Sequence, residues 1–434
     1  RRLQKMKVLG IITEYNPFHN GHQLHIEKSL TKSNADAVIC IMSGSFLQRG
    51  TPALVHPWAR AKMALEAGVD LVIQLPVSYS LRSAEYFAYG SLKLLDAAGI
   101  VDCLCFGSET GRIEPLKFLG QLLAAEPPQL SQLIQEKLAA NKSYPQARAA
   151  AVSDYLAEKN DSNSFSPEEI KKALHSSNNI LGIEYIKALT RLNSSITPLT
   201  IEREGADYNS KHLSKISSAT AIRAKIKENN KHNNPLLDDE LKETMPAAAI
   251  KILKEEFATG RGPIFPADFA VQLLTVLRRA AKKDLSSYED VRGGLENRIK
   301  RAALNSTTWS ELIEEIKTKR FTQTRIQRIL AQTLIDLKAE DLNSFAQAGG
   351  PLYFRILGFN QQGKKLLHQI KNQSELPLIS RVANHFKSNY QPQNLLQKML
   401  SYDLQANNLY SLAFVDQNWQ QGNLDYRQQP IIKT

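Results

Sequence analysis

The chain is 434 residues long and 42% hydrophobic, with 55 Lys and Arg against 43 Asp and Glu, a formal net charge of +12. That length supports two or three folding units with a substantial core, and the positive balance favours a polyanionic partner without identifying one. No apolar run approaches the roughly 20 residues needed to cross a bilayer, which excludes a membrane-spanning helix.

Residues 1–7 are basic but lead straight into a polar turn, so no secretory signal is expected, Met6 is a candidate natural start, and the cytoplasm is the expected compartment. The first element is a strand, Leu9-Gly-Ile-Ile-Thr13, which ends at a Pro-containing turn carrying His19 and His22 around Gly21. A helical pattern follows at once. Strand, tight loop and helix start together make an anion site, because a helix N-terminus presents backbone N–H groups and partial positive charge. Gly21 has no Cβ to keep an anion from the backbone. The two imidazoles are placed to donate to an α-phosphate as charge builds on it. Taken alone, they fit a helix cap as well.

Residues 37–42 form a second strand of the kind buried on both faces, closed by Ser43-Gly44. A helix beginning at Pro57 and stopped near Gly68 leads to a third strand at 71–75, closed by Pro76. Another helix, roughly 83–98, precedes a fourth strand at 103–106. Strands alternating with helices of this length imply a parallel, doubly wound sheet, whose ligands lie beyond the carboxyl ends of the strands. The histidine turn, Ser43-Gly44, Pro76 and Gly107-Ser108-Glu109 all fall at those ends, which predicts one shared pocket. The three cysteines, Cys40, Cys103 and Cys105, form no Cys-x-x-Cys pair and read as small buried hydrophobes rather than metal ligands.

Residues 111–193 are mostly helical, and a further strand is expected at 199–201. Ile216-Ser-Ser-Ala-Thr-Ala-Ile-Arg223 opens a helix with hydroxyls and a guanidinium, a set suited to β- and γ-phosphates, although a Ser N-cap beside a surface Arg is its plainer reading. The Asn-rich stretch 229–234 reads as a linker, the region from 236 onward as helical, and the Asn- and Gln-rich tail from 405 as compositionally soft. In that half, Arg298, Lys300 and Arg301, then Lys317, Lys319, Arg320, Arg325 and Arg328 around Phe321, could contact RNA phosphates or form a solvated face.

The string Glu14-Tyr-Asn-Pro-Phe-His-Asn-Gly-His22 resembles the His-x-Gly-His signature of the nucleotidyltransferase superfamily and, at its full length, the bacterial tRNA(Met) cytidine acetate ligase family. Met42-Ser-Gly-Ser-Phe-Leu-Gln-Arg-Gly50, Phe106-Gly-Ser-Glu109, Asn178-Asn-Ile-Leu-Gly-Ile-Glu-Tyr185, Ile201-Glu-Arg-Glu-Gly-Ala-Asp-Tyr208 and the Ser217–Arg223 stretch resemble the same family, with Ser177 standing where a proline is usual. The resemblance implies an α/β, Rossmann-like doubly wound parallel sheet over 6–228, followed by an all-helical domain over 236–434 that binds tRNA. It implies ATP as co-substrate, and Mg2+ is expected with the triphosphate, although the sequence offers no clear Asp/Glu ligand pair for it.

On the same resemblance ATP contacts Ile12, Thr13, Glu14, Tyr15, Asn16, Pro17, Phe18, His19, Asn20, Gly21, His22, His25, Gly107, Asn178, Arg203, Ser218 and Thr220. His19, His22 and Arg223 act catalytically, while Gln48 and Arg49 are the acetate candidates. His25, one turn beyond His22, could also be a solvent-facing helix residue. The implied reaction is formation of acetyl-adenylate, then acetylation of N4 of the wobble cytidine of elongator tRNA(Met); no membrane and no protein partner are implied. An adenylyltransferase making a nucleotide cofactor, and a non-catalytic tRNA-binding protein, are the alternatives.

Overall fold

The computed structural model describes residues 6–140, 142–158, 165–203, 216–232, 234–318, 321–386 and 391–434. Its centre is one eight-stranded sheet: β1 (Val8–Thr13), β2 (Ala37–Ser43), β3 (Leu71–Leu75), β4 (Cys103–Ser108), β5 (Thr197–Glu202), β6 (Phe354–Phe359), β7 (Leu378–Ile379) and β8 (Ile431–Ile432). The order is β5-β4-β1-β2-β3-β6-β7, with β8 also on β6. β1 to β5 are all parallel. Every residue of β2 and β3 is buried, as expected of strands covered on both faces by crossover helices.

The chain lays down β1, β2 and β3 in one direction, then returns to place β4 on the other side of β1. This reversal opens a crevice beyond the carboxyl ends of β1 and β4, the position a doubly wound sheet offers a ligand. The four early strands read from the sequence and the strand around 199–201 are all present, so the α/β reading holds.

The C-terminal half differs from the all-helical expectation. β6 joins the sheet antiparallel to β3, Leu71 opposite Phe359 and Gln74 opposite Arg355, and β7 and β8 pair with β6. Phe-Arg-Ile-Leu-Gly-Phe is a six-residue run buried almost throughout, and at that length periodicity does not separate strand from helix.

The stretch read as a linker begins inside a helix, Ala219–Lys231; buried Asn229 donates to Pro235 O and Asp238. The tail is ordered too: Asn407 donates to Asp425, which pairs with Arg355, and Ser45 Oγ donates to Asn407 Oδ1. Buried amides thus form a polar network where their composition alone suggested softness. The three cysteines are free and buried; burial pushes the Cys40 thiol up to about 12 and Cys105 up to about 11. No helix among the described residues is long and apolar enough to cross a membrane.

Candidate active site

A cavity of about 430 Å3 lies at the strand ends. Of the residues singled out from the sequence, it is lined by Ile12, Thr13, Glu14, Tyr15, Asn16, His19, Gly21, His22, His25, Gln48, Arg49, Gly107, Asn178, Arg203, Ser218, Thr220 and Arg223. One chamber therefore collects segments more than 200 positions apart. Pro17, Phe18 and Asn20 are outside its lining. Phe18 is fully buried, packing against Tyr15 and His22. Asn20 donates its amide to Glu243 O, which docks the segment after residue 240 onto the histidine turn.

The histidines both cap the helix and face the cavity. His19 is the N-cap of the helix Asn20–Ser33, its Nδ1 accepting from Gly21 N–H at 3.1 Å. His22 Nδ1 accepts from His19 N–H at 3.3 Å, and the two rings stack with centroids 3.7 Å apart. An imidazole that accepts at Nδ1 holds its proton on Nε2 when neutral, so each ring keeps an Nε2–H donor.

Burial and the guanidinium groups of Arg203 and Arg223 push His19 down to about 3; burial and Arg203 push His25 down to about 4. His22 is held well below the usual imidazole range by burial, His19, Arg203 and His25. All three are neutral at physiological pH. His25 also faces this cavity, which corrects the solvent-facing alternative.

The N–H groups at this helix end are not left for an anion. Asn20 N–H goes to Thr244 O, Gly21 N–H to the His19 ring, and His22 N–H to His19 O. A Cβ on Gly21 would sit 2.9 Å from His19 Cε1, so the glycine makes room for a folded-back imidazole rather than for a phosphate at the backbone. Charge entering here meets the helix dipole and imidazole N–H donors.

Folded-state pKa values below the ordinary 6.5 fix the sign of the pH effect. The unfolded chain takes up protons that the folded one refuses, so this contribution is fully present above 6.5 and is lost as pH falls through about 4 for His25 and about 3 for His19. NMR titration of the ligand-free protein should show these imidazoles neutral from about pH 8 to about pH 5; inflections near the ordinary value would contradict the buried arrangement.

The remaining walls are equally specific. Ser218 caps the helix Ala219–Lys231, accepting from Ala221 N–H, and lines the cavity as well. Arg223 donates to Asn16 O at 2.6 Å, joining the second signature to the first. Arg203 donates to Asn178 Oδ1 at 3.1 Å, and its side chain covers Gly107, where a Cβ would sit 3.0 Å from Arg203 Cγ. Gln48 is held by its N–H to Glu14 Oε1 and by its Nε2 to Arg82 O.

Two residues given no role of their own from the sequence hold these walls. Arg60, fully buried, donates to Val55 O, Glu14 O and Gly44 O, tying the loops after β1 and β2 together. Glu109 accepts from Asn178 and Asn179. Its place just after the fourth strand, within the family-like segment Phe106–Glu109, was the available signal; Arg60, on a helix among apolar neighbours, offered none.

The basic residues of the C-terminal half divide. Arg298 donates to Ile316 O and Lys317 O, Lys300 to Leu277, Arg278 and Ala280 carbonyls, and Arg325 to Asp290 O. These three satisfy backbone acceptors, two of them at helix C-termini. Phe321 is buried beneath Arg325 and packs rather than presenting an open face. Burial lowers the Arg328 pKa, and its backbone abuts Gly50. Arg301 and Lys317 are exposed, Lys317 beside Glu314; Lys319 and Arg320 lie outside the described residues. Among the described residues no group of three or more His, Cys, Asp or Glu is arranged to hold a metal ion.

Residues 6–425 match the family model of the HIGH nucleotidyl transferases. The chain is 44% identical to the tRNA(Met) cytidine acetate ligase of Acetivibrio thermocellus over 98% of its own length and all of that protein. It is 45% identical to the enzyme of the same name from Halothermothrix orenii, over 99% of this chain and all of that one. The crystal structure of Thermotoga maritima TmcAL bound with alpha-thio ATP superposes with a TM-score of 0.89 at 33% identity, covering 98% of this chain and 99% of that one.

Proposed function

The chain belongs to the HIGH nucleotidyl transferases and, within them, to the tRNA(Met) cytidine acetate ligase family, and from that premise we propose how its cavity works. It is an ATP-dependent ligase. It joins acetate to AMP and passes the acetyl group to N4 of the wobble cytidine of elongator tRNA(Met), in the cytoplasm where these substrates meet. The observation that carries this reading is the single cavity in which neutral His19 and His22, Arg203 with Asn178, and Ser218 with Arg223 meet at the strand ends.

An acetate oxygen attacks the α-phosphorus of ATP, the bond to the β-phosphate oxygen breaks, and pyrophosphate leaves. Nε2–H of His19 and His22 donate to the α-phosphate as negative charge gathers there, and Arg223 and Ser218 receive the leaving pyrophosphate. Asn178, Arg203 and Gly107 hold the adenosine side. The cytidine amine then attacks the acetyl carbon, the bond to AMP breaks, and the amine loses a proton to solvent. Positioning and fixed dipoles supply most of the acceleration.

Mg2+ would accompany the triphosphate, held by phosphate oxygens and water with Glu14 and Glu202 in the lining nearby, and would supply charge neutralisation on the phosphates. Acetate sits by the loop carrying Gln48 and Arg49, whose guanidinium offers a fork for a carboxylate. That loop packs against the helix Gln323–Leu334 at Gly50, so tRNA gripped by the C-terminal half reaches the acetyl group over a short path.

AMP release requiring both acetate and unmodified tRNA, with acetylcytidine found by nucleoside mass analysis, is the expected result. Transfer of AMP itself to a nucleotide would instead make the protein a cofactor adenylyltransferase, and tRNA binding without AMP would make it a binding protein. For the tRNA surface, exchanging Arg301 and Lys317 for Glu should weaken tRNA binding. Each lost phosphate contact should lower the slope of log K against log salt by about 0.7–0.9. Tightness unchanged at every salt concentration would remove both residues from the interface, and tRNA-free adenylate formation should stay at the parental rate.

A further inference from the structure

Glu109 stands behind the cavity wall rather than in it, yet three donors converge on its carboxylate. Oε1 accepts from Asn178 N–H at 3.0 Å and from Asn178 Nδ2 at 2.9 Å; Oε2 accepts from Asn179 N–H at 2.9 Å. In return Glu109 N–H donates to Oδ1 of fully buried Asn179 at 3.0 Å. The helix Ser177–Arg191 has no side-chain cap from its N-cap residue Ser176, so this carboxylate from the end of β4 serves as its cap across the sheet.

The chain of contacts continues into the cavity. With its amide N held by Glu109, Asn178 turns Oδ1 toward Arg203, which donates to it at 3.1 Å. Arg203 N–H donates to Ser108 O, next to Glu109. Asn178, Arg203 and Gly107 line the chamber, whereas Glu109 touches only the parts that set them. Its charge also meets the positive end of that helix, so the triphosphate finds its donors across the cavity, at the histidines and Arg223.

We propose that Glu109 is a positioning residue for ATP: acting through Asn178, it fixes the Arg203 guanidinium over Gly107 and so sets which way the nucleotide lies. This rests on the reading that Asn178 and Arg203 hold the nucleotide.

The decisive variant is Glu109→Gln, which keeps the shape but replaces one acceptor oxygen with an NH2 group that opposes a backbone N–H. ATP-dependent AMP formation by the full chain, with acetate and tRNA saturating, should show KM for ATP raised about tenfold or more, as expected for losing charge-assisted hydrogen bonds. Turnover at saturating ATP, and KM for acetate and for tRNA, should stay within about threefold of the parent. A merely structural cap would lower stability without separating KM for ATP from the other constants.

Glu109→Asp keeps the charge one methylene short and should lie between the two; it also carries the test if the Gln variant does not fold. An Asp or folded Gln variant with the parental KM for ATP, alongside an Arg203→Ala variant in which it rises, overturns the role of Glu109. Parental values in Arg203→Ala and Asn178→Ala together would instead overturn the underlying assignment of those two residues to ATP.

Discussion

Replacing His22 with alanine lowers acetate-dependent ATP–pyrophosphate exchange by about 10²–10³-fold, the cost typical of removing one preorganised donor to a developing oxyanion. The ring is neutral, its Nδ1 is occupied by His19 N–H, and its Nε2–H is left to face the cavity. The fold loses one hydrogen bond, the stack on His19 and the ring contacts with Tyr15 and Phe18, but the helix keeps its N-cap and the protein is expected to stay folded. His19→Ala reduces exchange similarly but also removes the N-cap, adding a stability loss of about 1 kcal/mol. The double variant falls little below either single one, because each ring orients the other and their effects do not add. Exchange within about threefold of the parent in folded His22→Ala would remove the ring from the chemistry.

Arg60→Ala is expected to be the most destabilising single change around the cavity. The guanidinium satisfies three carbonyls, buried ones at Gly44 and Val55 and a part-buried one at Glu14. Each acceptor left unpaired costs about 1–3 kcal/mol, and the volume once filled by a fully buried side chain adds to it. Arg60→Lys recovers only part, because an ammonium on a flexible stem does not reproduce the planar fork. The midpoint of denaturant unfolding should drop by an amount corresponding to roughly 3 kcal/mol or more. Adenylation should weaken too even where the protein is folded, since the loops bearing Glu14 and Gln48 lose their common anchor. A midpoint equal to that of the parent would mean these carbonyls find other donors.

What the sequence made legible was local. The histidine turn, the five parallel strands and the Ser218 cap each follow from a few neighbouring residues, and the pocket followed because strand ends share one edge of a parallel sheet. What stayed hidden depends on partners far along the chain. Arg60 looks like any helix arginine until the loops after β1 and β2 fold over it. Glu109 acquires a role only when the helix Ser177–Arg191 arrives, and the strand Phe354–Phe359 only when β3 lies beside it. Lys300 reads as a phosphate ligand by charge, but its three donors end on the carbonyls of the helix Ala270–Arg279 and the residue after it. Charge in a sequence does not say which way a long side chain points.

The pairing of β3 with β6 also bears on how the protein is made. While the nascent chain leaves the ribosome, Leu71–Leu75 forms an apolar edge whose partner is encoded far downstream. At about 5–20 residues per second that edge waits on the order of tens of seconds, open to pairing with any other strand nearby. Messages cut short before residue 354 should therefore yield aggregating product or demand a chaperone, rather than releasing a working front half.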